Sequence, residues 1–116
     1  MGHDTATEPA VHAAVSAKSD AIAELCRRFH VRRLDVFGSA ARDKDFEPQR
    51  SDADFMIEFE PDVKPTIALL LDVEEALRQT LGRPVDLVER KVIETSPNYL
   101  RRRQILREAE PLYVAG

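Results

Sequence analysis

A chain of 116 residues, 43% of them hydrophobic, is long enough to bury one core and has the size of a single domain. Its formal charge of -4 argues against general attraction to nucleic acid, which needs a basic surface to neutralise phosphates, so direct nucleic-acid binding is not expected. The single cysteine, Cys26, excludes an intramolecular disulfide, and no apolar run approaches the ~20 residues of a membrane-spanning helix; a cytoplasmic protein without membrane association is expected.

Residues 1–15, rich in Ala, Thr and His, read as an N-terminal extension or the frayed start of a first helix, with the domain proper over residues 16–116. His3, His12 and His30 lack short metal-ligand spacing and are assigned no metal. From Ala17 to His30, Ile22, Leu25, Cys26 and Phe29 recur at the spacing of an amphipathic helix, which makes Cys26 a small core residue rather than a nucleophile. The segment RRLDVF reads as a strand, and GSAARD after it as a turn into a short helix with Ser39 near its N-terminus.

The segment DADFMIEF alternates, with Ala53, Phe55, Ile57 and Phe59 on one face and Asp52, Asp54, Met56 and Glu58 on the other. A helix over residues 66–81 follows, led in by Pro65 and ended by Gly82, with Ile67, Leu70, Val73, Leu77 and Leu81 as its apolar stripe. RPVDLVER is a further strand, with Val85 and Leu87 on one side and Asp86 and Val88 on the other. Ser96 and Pro97 suit the N-cap and first residue of a last helix running to Glu108, with Pro111 beyond it.

This order predicts an α+β domain, α/β-like in its alternation: a small mixed sheet with helices over one face and carboxylates on the open face. If the three strands are neighbours, Asp52, Asp54 and Asp86 converge there. Gathered carboxylates repel unless a cation holds them, and Mg2+, a hard ion that takes one or two carboxylates plus phosphate oxygens, is the natural candidate. Asp86 has two available roles, as a metal ligand or as acceptor of a proton from an attacking hydroxyl.

The Gly-Ser turn offers the complementary half of a phosphate site. Gly38 permits close backbone approach, a following helix start offers free N-H groups, and Ser39 adds a hydroxyl. Arg42 reads either as a fork for phosphate oxygens or as a local partner of Asp43 or Asp45. Arg101, Arg102, Arg103 and Arg107 likewise read either as a contact for a nucleotide or acidic partner or as a solvated helix face.

Together FGSAAR, SDADFMIEF and VDLVE resemble the minimal nucleotidyltransferase group of the DNA polymerase beta-like superfamily, whose hallmark is Gly-Ser, then Asp-x-Asp, then a later strand aspartate. The resemblance runs from about Ala21 to Tyr113 and includes the ending ILREAEPLY. Asp43, where the group commonly has Gly, and the long link DKDFEPQR depart from the pattern. The resemblance implies that Gly38 and Ser39 hold nucleotide phosphates, that Asp52 and Asp54 bind Mg2+, and that Asp86 is the third catalytic carboxylate. It also implies a role as antitoxin to a HEPN-domain ribonuclease toxin, transferring AMP from ATP to a toxin tyrosine. A noncatalytic antitoxin acting by complex formation is the alternative expectation, and nucleotidyl transfer to a small molecule a third.

Overall fold

The computed structural model describes residues 13–38 and 53–115. Ser39, Arg42, Asp52 and the short helix expected after Gly38 lie outside the described residues, as does most of the N-terminal extension. The elements are α1 (Ala13–Ser16), α2 (Ser19–Arg28), β1 (Val31–Phe37), β2 (Ala53–Phe59), α3 (Ile67–Leu81), β3 (Val85–Glu89), α4 (Arg90–Glu94), α5 (Tyr99–Glu108) and β4 (Glu110–Val114).

The four strands form one mixed sheet in the order β3-β2-β1-β4. Strand β1 pairs antiparallel with both β2 and β4, whereas β2 and β3 run parallel. The parallel pair follows from the helix between its strands, because a parallel connection must cross back over the sheet. This arrangement is the α+β architecture expected from the sequence.

Local chemistry sets the ends of α3. Thr66 is its N-cap, its Oγ1 accepting the Leu69 N-H at 3.1 Å, and Gly82 ends it at φ 69°, a left-handed conformation that glycine adopts without a Cβ penalty. Val73, Leu77 and Leu81 turn into the core, while Ile67, expected on the same stripe, is 77% exposed. Position 67 opens the first turn, ahead of Val73, the first fully buried residue of the helix.

The main core lies on one sheet face. Ile22, Leu25 and Cys26 of α2 and Val73, Leu77 and Leu81 of α3 pack with Leu34, Val36, Ala53, Phe55, Ile57 and Val85 from the strands. Burial of side chains the size of Phe55 or Leu77 contributes roughly 1.5–3 kcal/mol each. The alternation in β2 places Ala53, Phe55, Ile57 and Phe59 on this face as expected.

The opposite face is not bare. Met56 is buried there with Ile93 of α4 and Ile105 of α5, and Phe37, Val88, Leu106 and Ala109 pack around them. The expectation of a fully open second face is therefore narrowed: two short helices cover its middle. Strand β4, carrying Pro111, was not foreseen. Its place at the sheet edge explains how a residue without an N-H donor is accommodated. The last helix also begins later than its Ser-Pro pair suggested, with Asn98 as N-cap and Tyr99 as first residue.

Candidate active site

The sheet register assembles the acids. Asp54 of β2 is the partner of Asp86 on β3 and, on its other side, of Phe37 on β1. Register partners on adjacent strands project from the same face, so Phe37, Asp54 and Asp86 form one row across the sheet. Buried Ala53 and Phe55 flank Asp54, and buried Val85 and half-buried Leu87 flank Asp86, which pins both strands by their apolar side. Asp54 is half-buried and Asp86 exposed.

Gly38 closes one side of the row. Its φ of 73° lies in the left-handed region, and an added Cβ would stand 2.7 Å from Oδ2 of Asp54. Glycine is thus required here for its backbone conformation and for the space that it leaves beside the carboxylate. The space that Gly38 leaves open is the space beside an acid of the row.

A cleft of about 280 Å3 opens over these residues, lined by Phe37, Asp54, Asp86, Leu87, Val88, Ile93 and Arg101. A larger hollow, about 410 Å3, is lined by residues including Glu58, Glu60, Arg90, Lys91 and Glu94 and touches neither Asp54 nor Asp86. The smaller cleft is the one that holds the paired acids.

The donor set suits Mg2+. Two neighbouring carboxylates present hard oxygen ligands, and magnesium usually takes one or two of these, filling its remaining positions with water and phosphate oxygens. Among the described residues no group of three or more His, Cys, Asp or Glu forms a complete metal cage. Cys26 contributes nothing to this chemistry: it is buried in the main core, and burial pushes its thiol up to about 12.

A brace next to the acid row escaped the sequence reading. Asp35, only 1% exposed, lies on β1 opposite Met56, one row from Asp54. Its Oδ1 accepts from Arg33 Nε at 2.7 Å and its Oδ2 from Arg33 Nη2 at 3.2 Å, while Arg90 Nη1 stands 3.6 Å away. The hydrogen bond to Asp35 raises the Arg33 pKa above its ordinary value. The signal was present in RRLDVF, since residues two apart on a strand share a face, but the burial of that face depends on the later helices.

A family model for the nucleotidyltransferase domain matches residues 18–111. The chain is 42% identical over 65 residues to the protein adenylyltransferase MntA of Thermococcus cleftensis, covering 56% of this chain and 62% of that protein. It spans less than two thirds of the length of the curated relatives it matches, at 64% and 62%. A solved structure provisionally described as a minimal nucleotidyltransferase aligns with TM-score 0.65 and 35% identity over 84% of this chain and 91% of that one. The complex of a tri-AMPylated Shewanella oneidensis HEPN toxin with its MNT antitoxin aligns with TM-score 0.58 and 18% identity over 85% of this chain and 71% of that one, a likeness of fold alone. The family match takes in Gly38, Asp54 and Asp86 and ends at Pro111, near the start of β4: this chain belongs to the nucleotidyltransferase domain family.

Proposed function

We propose that this protein is a Mg2+-dependent nucleotidyltransferase that acts as an antitoxin, moving AMP from ATP to a tyrosine hydroxyl of a partner HEPN ribonuclease toxin. The register pairing of Asp54 with Asp86 inside one cleft carries the reading. The adenylyltransferase relative and the AMPylated toxin complex among similar folds support the choice of AMP and of a protein acceptor. The modest cleft agrees with an acceptor supplied by a second protein rather than by a dedicated small-molecule pocket.

In this reading Asp54, with Asp52 two residues earlier in the chain, holds the metal, and Gly38, Ser39 and Arg42 contact the triphosphate. Bound Mg2+ supplies charge neutralisation of the phosphates and of the leaving group. Asp86, the more exposed acid, takes the proton from the acceptor hydroxyl. The hydroxyl oxygen forms a bond to the α-phosphorus, the bond from that phosphorus to the oxygen bridging to the β-phosphate breaks, and pyrophosphate leaves. The acceptor gains an adenosine monophosphate and Asp86 the proton.

The test is intact-mass analysis of a co-expressed HEPN partner after incubation with this protein, Mg2+ and each nucleoside triphosphate separately. An AMP increment with ATP that disappears on Asp86→Asn is the expected result. A stable, inhibited complex without any increment, unchanged by replacing Asp54 and Asp86 together, would overturn the transfer reading in favour of an antitoxin that acts by binding.

A further inference from the structure

We propose that Arg101 is a substrate-binding residue whose guanidinium contacts the nucleotide's phosphate tail over the Asp54–Asp86 pair; this rests on the nucleotidyltransferase reading of the cleft. Three consecutive arginines follow Tyr99 and Leu100 in α5, and the structure separates their tasks. Arg102 Nη1 donates to the Ser96 carbonyl at 2.9 Å, and its guanidinium lies 5.3 Å from the Tyr99 ring centroid. Arg103 reaches the Tyr99 hydroxyl at 3.4 Å and lines an outer groove with Leu100 and Arg107. Arg101 alone of the three lines the cleft that contains Asp54 and Asp86.

Its placement is held from two directions. The Arg101 N-H donates to Oδ1 of the N-cap Asn98 at 3.1 Å, which fixes the first turn of α5. Farther along, Ile105 packs with Ile93 and Met56, and Met56 lies two residues from Asp54 on the same strand face. A buried apolar contact thus ties the helix that bears the cation to the strand that bears the acid.

Charge gives the position a purpose. A magnesium-bound triphosphate remains anionic, and Asp54 and Asp86 add negative charge beneath it. Arg101 is the only cation among the described residues that line the cleft. A guanidinium presents a planar fork that matches two phosphate oxygens, so it can hold the tail while the acids hold the metal. The segment RRRQ thereby acquires one residue with a ligand and two that are used in local contacts.

Calorimetric titration with Mg2+ and a nonhydrolysable α,β-methylene analogue of ATP tests the assignment in the full chain. Arg101→Ala is expected to weaken analogue binding at least tenfold, Arg101→Lys to retain part of it, and Arg103→Ala to bind like wild type, with all variants melting cooperatively. Wild-type affinity in Arg101→Ala, equal losses in Arg101→Ala and Arg103→Ala, or no analogue binding by the wild-type protein would each overturn it. Arg101-dependent binding without AMP transfer to a partner would uphold this residue's role and fail the transfer reading. Transfer that persists with unchanged affinity in Arg101→Ala would do the reverse.

Discussion

Asp54 and Asp86 are direct register partners across the parallel pair β2–β3, so two carboxylates leave neighbouring strands from the same face. Like charges placed opposite one another on a sheet disfavour the fold unless a cation joins them. Asp86→Asn is therefore expected to stabilise the metal-free protein by about 0.5 kcal/mol while lowering nucleotidyl transfer by about a hundredfold or more. Thermal melts in chelator and in millimolar Mg2+ check the first part: wild type should gain more from the metal than the variant does, since only a site that binds in the native state raises stability. The proton acceptor also lends its charge to the metal held beside it, so an identical metal response in both proteins would contradict the placing of Asp86 next to the metal.

Gly38→Ala tests the other wall of the site. A left-handed backbone costs a residue with a Cβ about 1–2 kcal/mol, and here the new methyl also meets the Asp54 carboxylate at 2.7 Å. The variant should unfold at lower denaturant with an unchanged slope, and its Mg2+-dependent rise in melting temperature should shrink as Asp54 is displaced. Gly82→Ala supplies the control: φ there is 69°, but no atom lies within 4 Å of the added Cβ, so it should share the loss of stability and keep the metal response.

The brace between strand and helix makes a separate prediction. Asp35 is buried with the half-exposed Arg33 against it and Arg90 close by, and removing the carboxylate leaves both guanidiniums without their partner on that strand. Asp35→Ala should cost about 1–3 kcal/mol in urea unfolding, less than for a fully buried pair because Arg33 is 37% exposed, whereas combining Asp35→Leu with Arg33→Met should recover much of that loss. If the single and double variants were equally unstable, packing rather than charge would be what Asp35 supplies.

Alkaline pH should weaken the protein through Cys26. Burial raises this thiol from 9.0 to about 12, with nearby Arg27 acting in the opposite direction. Between those values the unfolded chain releases the proton and the folded chain retains it, so stability falls as pH rises from about 9 toward 12. Cys26→Ala should flatten that part of the pH profile, at the expense of packing. A disulfide-forming thiol reagent at pH 8 should react with wild type only at the rate of unfolding or local opening, because the folded state holds the thiol neutral and covered.

Much of the architecture was legible along the chain because its signals are local. The Thr66 and Gly82 boundaries, the alternation of DADFMIEF and the inward side of α2 each depend on contacts within a turn or on side-chain period, and each appears as expected. Strand β4 was less legible: Pro111 ordinarily signals a break, and only its position at the edge of an already formed sheet makes it acceptable. The short α4 and the cover over Met56 were likewise hidden, since five residues of helix have little periodicity to display.

The sequence by itself determined that Asp54 and Asp86 lie on strands with apolar residues on the opposite side, and that Gly38 precedes them at a turn. Only the tertiary structure decided that those strands are adjacent and in matching register, that Gly38 abuts the Asp54 carboxylate, and that Arg101 among three consecutive arginines shares their cleft. The physical reason is the range of the interactions. Alternation and capping are set by neighbours a few residues away, whereas strand order and the facing of α5 are set by which apolar surfaces, distant in sequence, bury one another.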